Sequence, residues 1–205
     1  MPWTNQDLIL YHGTDDASAA AILRGGVNLG LCSPRTDFGR GFYTTTNAAQ
    51  AITWAHLRTA RLRAGGKKAA QPAVLRVLAE RDFLAGLESL VFPRPARETA
   101  FPDFVRYCRR GGSPHRPGGR DFQVVYGPVA QWQGLFEPNL ELFVLSDCDQ
   151  VSFHDASHLA AGGPVLDGAD CRVLPWPEDA RRASQASEVS PRRRASEASD
   201  ASSSR

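Results

Sequence analysis

The residues able to do chemistry are few and far apart in the chain. His12 closes the apolar run Leu8-Ile9-Leu10-Tyr11, and Tyr43 lies in the glycine-flanked segment Gly39-Arg40-Gly41-Phe42-Tyr43-Thr44-Thr45. Trp54 follows one helix later, and Asp149-Gln150 open a late apolar run that ends at His154. Imidazole holds or accepts a proton near neutral pH. Aromatic rings make flat walls, and the backbone of Gly13 offers a donor and an acceptor with no side chain in the way. Such parts suit a pocket for a flat, amide-bearing ring. Each also has a structural alternative: a hydrogen-bonded histidine, a half-buried strand tyrosine, a tryptophan core anchor. Other known constellations are missing. The chain has no GxGxxG, P-loop, HExxH or GxSxG. Gly39-Arg40-Gly41 lacks the third glycine and the following helix, which argues against a Rossmann-type nucleotide fold.

Several elements must position these residues. The run 8–11 reads as a buried strand that turns at His12-Gly13-Thr14-Asp15, and Asp16 to Leu23 reads as a short helix stopped by Gly25-Gly26. Asn47 is a candidate N-cap for a helix from Ala48 to Arg63, ended by the Gly65–Lys68 loop. Ala73–Leu78 reads as a strand. Phe101–Arg109 reads as a helix with Phe101, Phe104, Val105 and Cys108 on one face, followed by a Gly/Pro-rich loop over 111–119. Phe122–Tyr126 reads as a strand broken by Gly127-Pro128. Leu140–Leu145 fits a helix or a strand, and Asp149–His154 a late strand. Strands and helices do not alternate regularly, which predicts a mixed α+β fold rather than a doubly wound parallel sheet.

The bulk properties bound the rest. The 205 residues suit one domain, read as 1–177, and a tail. Beyond 178 the chain is Ala, Ser, Arg and acidic residues, too polar to offset its ordering entropy, and so reads as disordered. Pro191-Arg192-Arg193-Arg194 is a short basic cluster within it. A net charge of +2 gives no case for a nucleic-acid or membrane partner. Cys32, Cys108, Cys148 and Cys171 form no CxxC pair, which predicts reduced thiols and no zinc site. With no signal peptide and no apolar run of about 20 residues, a cytoplasmic protein is expected; signal-less export as a toxin or effector leaves no mark in a sequence.

Tyr11-His12-Gly13-Thr14 resembles the His-Gly-Thr/Ser strand of the diphtheria-toxin-like branch of the ADP-ribosyltransferase superfamily. Gly39–Thr45 is similar to the Gly-Lys-Gly-Ile-Tyr-Phe-Ala segment of poly(ADP-ribose) polymerases, at about the right distance from His12. The likeness is closer to a bacterial family of unknown function placed in that superfamily. Four ordered blocks carry it: Asp37–Tyr43, Gln50–Ala55, Val124–Ala130 and Asp149–His154. The resemblance implies a split mixed β-sheet core with short flanking helices, and NAD⁺ as co-substrate. Carried over, His12 would bond the nicotinamide ribose 2′-hydroxyl, and the Gly13 backbone the carboxamide. Tyr43 and Trp54 would sandwich the ring, Phe42 would line the site, Arg40 would approach the pyrophosphate, and Thr14 would support the adenosine side.

The third catalytic position departs from the pattern. Polymer-making members carry a glutamate there; this chain offers Gln150, with Asp149 beside it and Glu141 upstream. Strand alternation lets only one of Asp149 and Gln150 face the pocket, and the resemblance favours Gln150. An amide orients a hydroxyl but adds no negative charge. The implied activity is therefore transfer of a single ADP-ribose to an unknown acceptor. NAD⁺ hydrolysis and a non-catalytic NAD- or ADP-ribose-binding module are the alternatives. His154, His115 and Glu137 are further candidates.

Overall fold

The computed structural model describes residues 6–93, 100–116, 119–130 and 144–176, without the Ser146 side chain. Leu10, Phe42, Val77, Val151 and Phe153 bury one another in an apolar layer, and the strands form around it because every second residue belongs to it. The strands are β1 (Leu8–Asp15), β2 (Phe42–Thr44), β3 (Pro72–Ala79), β4 (Ser89–Val91), β5 (Val124–Ala130), β6 (Val144–Phe153) and β7 (Asp170–Val173). The helices are α1 (Asp16–Gly25), α2 (Ala48–Ala64), α3 (Arg81–Ala85) and α4 (Ala100–Arg109).

The fold is α+β. One sheet has the order β1-β3-β7, the other β2-β6-β5-β4; all pairs are antiparallel except β4 with β5. The shared layer lies between them. The far face of the second sheet packs Val125 and Ala130 against Phe38 and the Phe101 and Val105 side of α4. The far face of the first meets α2 through Ala51 and Ala55.

Asn47 caps α2 as expected, its side chain accepting from the backbone N–H groups of Ala49 and Gln50. The 101–109 helix and the 73–78 strand also form, each slightly longer than read. Three readings need correction. Residues 12–15 are not a turn: β1 stays paired with β3 through Asp15↔Pro72. Gly127-Pro128 does not break β5. β4 ends opposite Tyr126, so the ladder asks no N–H of Pro128 on that side, and a register shift between Pro128 and Ala130 takes up the irregularity. The late strand begins at Val144 and stops at Phe153, leaving His154 just past its end. Residues 140–143, with Glu137, Glu141, the 178–205 tail and its Pro191–Arg194 cluster, lie outside the described residues.

Among the described residues no helix is long and apolar enough to cross a membrane, and no group of three or more His, Cys, Asp or Glu side chains is placed to hold a metal ion. Cys32, Cys108 and Cys171 are free thiols.

Candidate functional site

Among the described residues, one isolated backbone bridge joins the edges of the two sheets. Tyr11 of β1 and Thr45, just past β2, exchange both backbone hydrogen bonds, at 2.8 and 2.9 Å. An antiparallel continuation would set Gly13 opposite Tyr43. No bridge forms there; among the described residues the Tyr11–Thr45 contact stands isolated. The ladder stops there, which leaves a gap in the pairing between Gly13 and Tyr43. Peptide groups two residues apart on a strand point to the same edge. The N–H and C=O of Gly13 therefore face this gap, as does the C=O of Tyr43.

His12 fills part of the opening. Its Nδ1 lies 2.6 Å from the Tyr43 carbonyl oxygen, and its ring rests on Phe42 with centroids 4.6 Å apart. Burial pushes the imidazole pKa down to about 4; the Tyr43 carbonyl opposes the shift, and the nearby Arg58 charge adds to it. His12 is thus neutral at physiological pH. Nδ1–H must donate to the carbonyl, which leaves Nε2 as a bare acceptor. Nε2 has no hydrogen-bond partner among the described residues.

Gly13 is required by the helix above it. A Cβ there would lie 2.0 Å from the Ala51 carbonyl oxygen and 2.8 Å from the Ala55 nitrogen. Two alanines on α2 let the helix lie against a bare stretch of β1. Gln50, Trp54 and Arg58 form one row along the same helix. Gln50 is tied to the β6 side: its Nε2 donates to the Asp149 carbonyl at 2.8 Å, and its Oε1 accepts from the Asp149 N–H at 3.1 Å. At the other end of the row, Arg58 Nε donates to Asp15 Oδ2 at 2.7 Å, and its Nη2 to Ser18 Oγ at 3.1 Å. Burial alone would raise the Asp15 carboxyl; Ser18 and Arg58 outweigh it and hold it below its ordinary value. Trp54 lies between these anchors in the row and remains 42% exposed.

Tyr43 approaches from the other side of the gap. Opposite residues of an antiparallel pair share a face, so Tyr43 points to the side that α2 covers. Its hydroxyl accepts from the Phe38 N–H at 2.9 Å and donates to the Gly39 carbonyl at 2.8 Å. Burial raises its pKa, so the phenol stays neutral.

The tyrosine is one of several groups that fasten the 36–41 loop. His115 Nε2–H donates to the Phe38 carbonyl at 2.9 Å, because Nδ1 accepts from the Phe122 N–H. His154 Nδ1–H donates to the Arg40 carbonyl at 2.8 Å, while Nε2 accepts from Ser152 Oγ at 2.7 Å. Burial lowers the His154 pKa to about 4; the Arg40 carbonyl opposes this and His115 reinforces it. Asp37 is buried with Arg109 and Gln150. Its Oδ1 accepts from Arg109 Nε at 2.8 Å; its Oδ2 accepts from the Ala130 N–H at 2.8 Å and from Gln150 Nε2 at 2.7 Å.

A family model described as a protein of unknown function, DUF3990, matches residues 8–155. The chain belongs to the DUF3990 family. The match runs from β1 to just beyond β6 and so contains every element of the gap; β7 falls outside it. No curated protein and no solved structure matches the chain.

In this DUF3990 chain the residues singled out from sequence separate into groups. His12, Gly13 and Tyr43 adjoin one gap in the strand pairing, and Trp54 sits on α2 beside the Ala51 and Ala55 backbone that packs on Gly13. Gln150 lies on the Tyr43 face of β6, since Tyr43 pairs with Ser152 and Gln150 is two residues away. Thr14 does not reach a ligand position: it is 2% exposed, on the inner face of β1 that Leu10 shares. Phe42, also 2% exposed, is core and supports the His12 ring from below. Arg40 does not hold out a free fork, because its Nη1 donates to the carbonyls of Leu29, Gly30 and Cys32 at 2.9–3.1 Å. Asp149 turns away to the start of α2, where Oδ1 accepts from the Thr46 N–H at 3.0 Å. His154 and His115 serve the 36–41 loop. Sequence reading missed Asp15, Arg58 and Arg109. The Arg58 signal was present in the row i, i+4, i+8 from Gln50; Arg109 has no local signal, because its carboxylate lies 72 positions away.

Proposed function

We propose that this DUF3990 chain binds NAD⁺ at the parted edges of β1 and β2 and transfers a single ADP-ribose from it. The observation that carries the reading is the open Gly13 peptide edge beside a neutral His12. The split-sheet arrangement supports an ADP-ribosyltransferase-like core: two sheets joined by one bridge among the described residues, with helices outside. The nicotinamide carboxamide pairs with the Gly13 N–H and C=O, and its ring lies between Trp54 and Tyr43. The His12 Nε2 accepts from the 2′-hydroxyl of the attached ribose.

Cleavage of the glycosidic bond builds positive charge on the ribose carbon as neutral nicotinamide leaves. An imidazolium beside that carbon would oppose the charge; the lowered pKa of His12 removes it. Holding the hydroxyl and carboxamide at fixed points orients the ribose for departure of the leaving group. An acceptor nucleophile, of protein, nucleic-acid or small-molecule class, then takes the ADP-ribose; water in its place gives hydrolysis.

One observation favours a second reading, a module that binds NAD⁺ or ADP-ribose without cleaving it. Gln150 is an amide, and its nitrogen is held by Asp37 and by the Pro128 carbonyl. The experiment is a nicotinamide-release assay with NAD⁺ labelled in the adenosine half, run beside calorimetry. Release that His12→Ala abolishes supports transferase or hydrolase chemistry, and label on an acceptor separates the two. NAD⁺ or ADP-ribose binding without release supports the module. Absence of both binding and release overturns the NAD⁺ reading.

A further inference from the structure

Gln150 is buried, 8% exposed, yet its side chain is held at one end only. Nε2 lies 2.7 Å from Asp37 Oδ2 and 2.9 Å from the Pro128 carbonyl oxygen. Both neighbours are acceptors, so only the NH₂ end of the amide can face them. The orientation of the group is therefore fixed by chemistry. Oε1 must point the other way, and it has no hydrogen-bond partner among the described residues. Asp37 takes a further donor at Oδ2, the Ala130 N–H at 2.8 Å, and Arg109 at Oδ1. Its acceptor positions are filled, and the Arg109–Asp37 ion pair is itself buried.

We infer that Asp37 is a positioning residue acting through Gln150: it demands a hydrogen-bond donor at position 150 and turns the amide oxygen toward the gap as a ligand acceptor. An ionised partner on its N–H side polarises an amide and strengthens its oxygen as an acceptor. The same geometry forbids an ionised glutamate at this position, because two carboxylates within hydrogen-bond distance must share a proton. The proposed role toward a ligand rests on the NAD⁺ reading above; the donor requirement at position 150 does not.

Two measurements test the inference. In the first, the melting temperature of Gln150→Glu is compared with that of the parent at each pH. The variant is expected about 10 °C lower at pH 8, with at least half of the deficit regained at pH 5, where a protonated carboxyl can donate to Asp37. A melting temperature equal to the parent's at both pH values overturns the donor requirement. If Gln150→Glu is insoluble, Asp37→Asn/Gln150→Glu restores one amide–carboxylate pair and is expected to fold; failure of the double variant as well overturns the pairing. The second measurement is calorimetry with a non-cleavable carbocyclic NAD⁺ analogue. Asp37→Asn and Gln150→Ala are each expected to weaken binding about tenfold, and together by no more than either alone. Additive losses, or parent-like affinity in Asp37→Asn, overturn the relay. If the parent itself fails to bind the analogue, the NAD⁺ reading and the ligand role fall together, and the melting series alone decides the donor requirement.

Discussion

The 36–41 loop and the β1 edge at His12-Gly13 both adjoin Tyr43 and are built in opposite ways. In the loop, Tyr43, His115, His154 and Arg109 engage the polar groups of Asp37, Phe38, Gly39 and Arg40. At the edge, the Gly13 peptide groups and His12 Nε2 have no hydrogen-bond partner among the described residues. Buried polar groups are expensive to leave unmade, so folds satisfy them wherever they can. The loop follows that rule. The edge departs from it because β1 and β2 stop pairing after one bridge among the described residues; on the NAD⁺ reading proposed above, the ligand supplies the missing partners.

The comparison can be broken by mutation, and the largest expected effect is on the saturated side. Asp37→Ala leaves Arg109 buried without its carboxylate and frees the Gln150 amide. It should cost about 3–5 kcal/mol, read as a lower denaturant midpoint in equilibrium unfolding. If the unfolding free energy read from the midpoint and m-value falls by less than about 0.5 kcal/mol, the network does not hold the loop.

Gly13→Ala comes next. Its Cβ would fall 2.0 Å from the Ala51 carbonyl, so α2 must move away from β1. A loss of about 1–3 kcal/mol is expected, by the same measurement. A fully stable Gly13→Ala protein would show that α2 does not lie against this strand.

Acid should act on both regions at once. His12 and His154 titrate at about 4 in the fold, against 6.5 for a free imidazole. Between these values the unfolded chain binds protons that the native chain refuses. Stability from these groups is therefore complete above about pH 6.5 and declines as pH falls toward 4. The contribution is up to about 3 kcal/mol per histidine. His154→Gln should flatten part of the slope in a melting-temperature series. A slope unchanged in both His12→Gln and His154→Gln would contradict the neutral tautomers.

The smallest stability effect belongs to the open side. Trp54 is exposed, so Trp54→Ala should change unfolding free energy by no more than about 0.5 kcal/mol. The same change should weaken NAD⁺ binding about tenfold in calorimetry, a loss typical of a missing stacking wall. Unaltered affinity would remove Trp54 from the site.

The split between legible and illegible features follows the range of the forces. Asn47 before an Ala-rich helical run announces α2, because capping is a local bond. His12, Tyr43 and Trp54 could be named as candidates from residue type and neighbouring glycines. Their meeting depends on Tyr11 pairing with Thr45, a contact no local pattern encodes. Asp37 and Arg109 were invisible as a pair for the same reason. Pro128 misled because a proline inside a run reads as a strand end unless the shortness of β4 is known. Thr14 and Phe42 show the limit of motif resemblance: both stand beside site residues in sequence, yet alternation turns them into the core. β4 and β7, three and four residues long, offered too few positions for a period to show.

Helix α2 is fastened at both ends of the row that carries Trp54, through Gln50 to β6 and through Arg58 to the end of β1. The indole's platform is thus in place before any ring arrives. On the NAD⁺ reading, docking against Trp54 asks no movement of α2, so little ordering entropy of that helix is lost on binding. Observed association rates should climb in proportion to ligand concentration rather than level off at an internal rearrangement.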